Sequence, residues 1–165
     1  MNMIARRPLD AMLGAIDDAA ATPLAGREKR VAAAIAAHMA DPALLAGIEC
    51  PCDLQRYRRH LLHEGQGYAV VALVWRPGQM SPVHAHRAWC ALGIHRGCLT
   101  EHYYEAGSLR PTAVHLRSPG DISHGPACDH MIHRLANCCA ETAISIHVYG
   151  TAFERMAEDL NLVLA

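Results

Sequence analysis

The stretch that decides the reading is Gly78–Gly97, "GQMSPVHAHRAWCALGIHRG". It places two histidines, His84 and His86, two residues apart. In an extended strand, residues i and i+2 point to the same side, so both imidazoles would face one interior, close enough to share a metal ion. Four residues after His86 stands Cys90, where a carboxylate would complete a common ligand pattern. The question is what chemistry follows from the missing acid.

The surrounding chain sets the limits. It has 165 residues, 52% of them apolar, and a formal net charge of −1. That length suggests one domain (1–165) with a substantial core, and that balance argues against disorder and against a nucleic-acid binder with a basic face. Acids and bases are mixed along the chain, so no charged tail advertises a macromolecular partner; a monomer or weak homo-oligomer is expected. The opening "MNMIARRPLDAMLGAIDDAAA" has an apolar patch, but Asp10, Asp17 and Asp18 interrupt it. It reads neither as a signal peptide nor as a membrane span. Seven cysteines cannot all pair within one chain, and no C-x-x-C occurs. The adjacent Cys138 and Cys139 read as free thiols, which points to a reducing, cytoplasmic compartment.

Residues 1–50 are rich in Ala and Leu. "PLDAMLGAIDDAA" and "GREKRVAAAIAAHMAD" have helical spacing, and "PALLAGI" (Pro42–Ile48) reads as a third short helix. From Tyr68 onward the character changes. "YAVVALVW", "SPVHAHRAWCALGIH", "CLTEHYY", "TAVHLR", "HMIHRLAN" and "TAISIHVYG" read as strands, separated by the turns "RPGQ", "EAGS", "SPGD" and "HGPACD". Many short strands at steady spacing suggest a small closed barrel or jelly roll. The expected fold is mainly β, with N-terminal α-helices, a barrel over 51–150 and a C-terminal tail over 151–165.

The spacing G-x5-H-x-H-x3-(acid)-x6-G is the first motif of the cupin barrels, and Gly78–Gly97 resembles it at every position but Cys90. A third ligand should come from a neighbouring strand. His124 and His133 compete: His124 follows "SPGDIS", and His133 lies in "IHRLAN", which resembles the H-x3-N ending of the second cupin motif. "His124-Gly125-Pro126" reads as a turn, which would not hold a ring rigidly inside a barrel, so His133 is the expected ligand.

Over roughly residues 50–150 the sequence resembles the thiol dioxygenases of the cysteine dioxygenase family. "YRRHLL" (Tyr57–Leu62), "VALVWRPGQMSPVHAH" (Val71–His86), "IHRLAN" (Ile132–Asn137) and "SIHVYG" (Ser145–Gly150) occur in family order and spacing. The resemblance implies a single Fe(II) on His84, His86 and His133, with O2 as co-substrate. Three neutral imidazoles leave the ion its full charge, and a substrate thiolate supplies the negative charge that a protein carboxylate would otherwise bring. It also implies that Ser145, His147 and Tyr149 form a hydrogen-bonded relay ending on a phenol beside the substrate. Arg59, with Tyr57 on the same strand face, would grip a substrate carboxylate. Family members that prefer 3-mercaptopropionate typically carry glutamine at the Arg59 position, so the arginine points to L-cysteine and its sulfinic acid. Cys90 falls where animal members carry a cysteine joined to the active-site tyrosine, which implies a thioether to Tyr149. The loop from His86 to Cys90 is one residue shorter here, and many bacterial relatives have glycine at that position. The rival readings are a 3-mercaptopropionate dioxygenase, a non-catalytic metal-binding cupin sensor, and a zinc hydrolase, since three histidines also suit Zn²⁺.

Overall fold

The computed structural model describes residues 7–165. The first six residues of the N-terminal stretch, including Arg6, lie outside the described residues. Among the described residues, no helix is long and apolar enough to cross a membrane.

Helix α1 (Pro8–Ala20) starts with proline in its first turn, where a missing N–H costs no hydrogen bond, and buries Leu9, Met12, Ile16 and Ala20 along one stripe. Helix α2 (Arg27–Ala36) buries Val31, Ala32 and Ile35. The third expected helix is absent. Pro42–Ile48 is a chain of turns in which Leu44, Ala46 and Ile48 each donate to the carbonyl three residues back. Asp41 Oδ1 takes the Ala43 N–H, and Gly47 at φ +78° ends the run. A residue at that φ bends the chain away from α-helical geometry.

Ten strands follow: β1 (Arg58–Gly65), β2 (Tyr68–Trp75), β3 (His84–His86), β4 (Cys90–Arg96), β5 (Leu99–Tyr104), β6 (Pro111–Arg117), β7 (Ile122–Gly125), β8 (Cys128–Ala136), β9 (Ala143–Tyr149) and β10 (Asn161–Val163). They form two antiparallel five-stranded sheets, ordered β1-β2-β9-β4-β7 and β10-β3-β8-β5-β6. The mainly β expectation holds. The first sheet is covered on both faces, which is why β2 reads as an unbroken apolar run rather than an alternating one. Tyr68, Val70 and Ala72 of β2, with Ala91, Ile146 and Val148, pack under the helices beside Ile16, Ile35 and Met39. Val71, Leu73 and Trp75 face the interior with Leu92, Leu99 and Leu135.

Four further sequence readings are corrected. "SPVHAHRAWCALGIH" is not one strand, because the chain crosses between sheets at Arg87–Trp89. There the Arg87 N–H donates to the Leu160 carbonyl (2.8 Å), and Trp89 lies so close to Gly150 that a Cβ there would sit 2.3 Å from the indole. His124 is on strand β7 rather than in a turn, and β7 pairs with β4. The C-terminal segment includes β10, which pairs with β3 and places Asn161 opposite His86. Cys139 is not a free thiol. It is bridged to Cys98, with a Cα separation of 6.4 Å, while Cys138 stays free and exposed. The bridge removes the adjacent-thiol argument for a reducing compartment.

The two glycines of the histidine motif have separate jobs. Gly78 holds φ +83° in the turn leading toward β3. Gly97 holds φ +69° between β4 and β5, and a Cβ there would lie 2.8 Å from the Ala143 Cα. Only glycine satisfies both demands at position 97.

Candidate metal centre

Strand β3 is three residues long and wholly buried. Period-2 alternation turns His84 and His86 to the same side. Antiparallel pairing with β8 sets His84 opposite His133, and a bulge then shifts the register so that His86 faces Cys128. The three side chains can present one nitrogen each, all within 4.8 Å of one another. Their ring centroids are 4.7 to 5.1 Å apart.

The second nitrogen of each ring decides which atom faces the centre. His84 Nδ1 donates to the Pro82 carbonyl (2.9 Å), and His133 Nδ1 donates to Glu101 Oε1 (2.9 Å). Both rings therefore turn Nε2 inward. His86 Nε2 lies 3.0 Å from His133 Nε2, while its buried Nδ1 has no partner among the described residues. Burial, aided by the neighbouring rings, lowers His84 to about 4 and His86 to about 2, so both are neutral at pH 7. Neutral imidazoles with converging Nε2 lone pairs fit a divalent transition metal, and deprotonated donors are what such a metal requires.

Beside this cluster runs a hydrogen-bond chain on β9. The register turns Ser145, His147 and Tyr149 inward and Ile144, Ile146 and Val148 toward the helices. Ser145 Oγ is 2.8 Å from His147 Nε2, and Tyr149 Oη is 2.7 Å from His147 Nδ1. The chain starts one residue earlier than the sequence suggested, because the indole N–H of Trp75 donates to Ser145 Oγ (2.9 Å). An indole can only donate, so Ser145 Oγ accepts there, and the only acceptor left for its own buried proton among the described residues is His147 Nε2. Ser145 accepts from Trp75 and gives its own proton to His147 Nε2. Burial and the positive charge of Arg59 lower His147 to about 3, so the ring is neutral and its single proton sits on Nδ1. His147 therefore donates to the Tyr149 oxygen, which leaves the phenolic proton free to be donated onward. Burial raises the Tyr149 pKa above the ordinary phenol value, so the group keeps that proton. Its ring lies 5.8 Å from that of His86.

Tyr57, immediately before β1, stacks on Trp75 with ring centroids 4.2 Å apart. Arg59 Nη2 donates to Tyr57 Oη (3.3 Å), and the buried Arg59 Nε has no partner among the described residues. One cavity is lined by His84, His86 and His133 together with Tyr57, Arg59, His147 and Tyr149. A wider surface pocket of about 460 Å³ shares Tyr57 and Arg59 with it and is also lined by Arg56 and Arg58. Cys90 is buried directly across from Tyr149 in the β4–β9 register. Burial, with the charge of Glu101, pushes its thiol up to about 12. His124 is exposed and stands apart from the three-histidine cluster.

Sequence reading missed Glu101 and the place of Trp75. A signal for Glu101 was present: Leu99, Glu101 and Tyr103 share one face of β5, and Leu99 is fully buried. An acid in the inward phase of a strand needs partners.

Residues 28–158 match the family described as cysteine dioxygenase type I. The chain belongs to that family. Among solved structures, it is similar to the protein TT1209 of Thermus thermophilus, at 18% identity over 61% of this chain and 88% of that one, with a TM-score of 0.51. It is likewise similar to a conserved protein of Klebsiella pneumoniae with a double-stranded β-helix domain, at 20% identity over 62% of this chain and 84% of that one, TM-score 0.51. Oxalate decarboxylase of Bacillus subtilis matches at 14% identity over 70% of this chain and 30% of that one, TM-score 0.53. These likenesses show the fold alone, two antiparallel sheets of the double-stranded β-helix type. Family membership and the three-histidine cluster together support a cupin thiol dioxygenase.

Proposed function

We propose that this cysteine dioxygenase family member oxidises L-cysteine with O2 to cysteine sulfinic acid, using ferrous iron held by His84, His86 and His133. The observation that carries the reading is Arg59. It places a buried guanidinium N–H that has no partner among the described residues in the same cavity as the three clustered histidines. Such a cavity is short of negative charge in two places, and a thiolate with a carboxylate a few bonds away supplies both.

His84, His86 and His133 would hold iron(II), which would supply the redox chemistry that lets dioxygen react with a thiolate. Arg59 and the Tyr57 hydroxyl take the substrate carboxylate and so fix the position of its sulfur. Leu73, Leu92 and Leu135 wall the cavity and exclude water. Tyr149, held by His147 and ultimately by Trp75, donates its proton toward oxygen as negative charge develops there. Holding both reactants side by side makes their combination intramolecular. The overall reaction adds both oxygen atoms to sulfur, RSH + O2 → RSO2H, the irreversible rung of thiol oxidation.

The proposal includes the thioether. Its formation joins Cys90 Sγ to the Tyr149 ring carbon beside the hydroxyl and releases two protons and two electrons, with dioxygen as oxidant. The direct register pairing of the two residues supports it. Intact mass would show the loss of two hydrogens after aerobic turnover.

The test of function is oxygen uptake and product mass with iron-loaded protein and a thiol panel. Cysteine should give one sulfinate per O2 consumed. No uptake with any thiol would remove the enzyme reading, and a higher kcat/KM for 3-mercaptopropionate would remove the cysteine assignment.

A further inference from the structure

Among the described residues, Glu101 is the only buried acidic side chain. Its two oxygens have different partners. Oε2 accepts from Arg117 Nε (2.9 Å) and is ion-paired with Arg117 Nη2 at 2.8 Å. Oε1 accepts from His133 Nδ1 (2.9 Å) and Ser123 Oγ (3.1 Å). Three donors, one each from β6, β7 and β8, converge on the carboxylate, and none of them needs a proton from it. Since a carboxylate can only accept, the proton between Glu101 and His133 belongs to His133 Nδ1, and Nε2 is the nitrogen turned toward His86.

The three metal-site rings thus differ in what stands behind them. His84 is backed by a neutral carbonyl, His86 by no partner among the described residues, and His133 by a carboxylate. A carboxylate behind an imidazole fixes its tautomer and orientation and makes it the more basic ligand. Arg117 keeps that carboxylate charged and stationary within the interior.

We infer that Glu101 is a positioning residue of the metal centre: clamped by Arg117 and Ser123, it holds His133 as an Nε2 ligand and returns to the site part of the negative charge that position 90 does not supply. The inference rests on the metal-site part of the proposed function and is independent of which thiol is oxidised.

The experiment compares wild type with Glu101→Gln, which keeps the shape and removes the charge. Affinity for Fe(II) and Co(II) is measured anaerobically by competition with a chromophoric chelator, and the Fe(III)/Fe(II) midpoint potential by redox titration. The variant should bind both metals about 10- to 100-fold more weakly. Its potential should shift positive, since the lost charge favoured the ferric ion. An affinity change below tenfold overturns the inference. So does weaker binding at an unshifted potential, which marks a carboxylate that serves folding alone. Removing the charge beside Arg117 can unfold the protein, so a measurement on metal-free wild type accompanies it. Ring ¹⁵N shifts should show His133 protonated at Nδ1 and bare at Nε2; the opposite tautomer overturns the inference. None of these readouts needs turnover, so a protein that oxidised no thiol would still decide the role of Glu101.

Discussion

Strand β9 lies between two environments. Ile144, Ile146 and Val148 pack against the helices, and Ser145, His147 and Tyr149 face the metal cavity. Backbone, register and burial are nearly the same for both sets. On the helix side, contacts are non-directional, so any side chain of suitable volume can serve. On the cavity side, each group has one donor or acceptor in one place, and the order Trp75, Ser145, His147, Tyr149 works only in one direction. In the proposed function, the first face supports stability with little bearing on chemistry, and the second supports chemistry at some expense in stability.

The sharpest way to break this contrast is Tyr149→Phe. The ring stays and the terminal donor goes. Steady-state oxygen uptake should show kcat lowered by roughly 10²- to 10⁴-fold, the usual contribution of a positioned proton donor. The KM for the thiol and the urea midpoint should barely move. A kcat within threefold of wild type would mean that the relay does not reach the reacting atoms.

The opposite face gives the converse. Ile146→Ala should lower unfolding free energy by about 2–5 kcal/mol, measured in urea, because the helices cannot fully close the gap. Its kcat/KM per folded molecule should remain at the wild-type value. A large loss of activity would show that the helical layer tunes the site through β9.

These two faces were also unequally legible in the sequence. Period-2 spacing exposed Ser145, His147 and Tyr149, as it exposed His84 and His86, because an extended chain has little freedom to send i and i+2 to opposite sides. What the sequence did not reveal depends on partners far along the chain. Glu101 shows its role only when β6, β7 and β8 bring Arg117, Ser123 and His133 to it. The Cys98–Cys139 bridge spans 41 residues, and cysteine spacing alone cannot assign connectivity. The crossing at Arg87–Trp89 lacks glycine and proline and is set instead by Leu160 and Gly150. Trp75 looked like one more apolar residue at the end of β2, although its indole N–H sets the direction of the relay.

That last point yields a finer test of the cavity face. Trp75→Phe keeps a ring under Tyr57 and removes the N–H that Ser145 accepts. Ser145 is then free to rotate, and His147 loses its enforced tautomer. The expected loss in kcat is about tenfold, smaller than for Tyr149→Phe because the phenol remains. Combined with Tyr149→Phe, it should add little further loss, since both act on one chain. Full additivity would separate Trp75 from the relay.

The smallest effect concerns pH. In the folded chain His147 is depressed to about 3, against an ordinary value near 6.5. Above pH 6.5 the ring is neutral in both folded and unfolded chains and contributes no pH dependence. As pH falls below 6.5, the unfolded chain takes up a proton that the folded one refuses, so stability declines until the folded pKa is reached. One such group contributes a slope of at most about 1.4 kcal/mol per pH unit. Metal-free protein should therefore show a urea midpoint that falls from pH 7 to pH 5. The buried His84 and His86 act in the same direction, so His147→Gln should make the dependence shallower without abolishing it. The helix-side variant Ile146→Ala should shift the whole curve down and leave its slope unchanged. If Ile146→Ala changed the slope and His147→Gln did not, the cost of burying an uncharged imidazole would lie elsewhere, and the contrast between the two faces of β9 would fail on its energetic side.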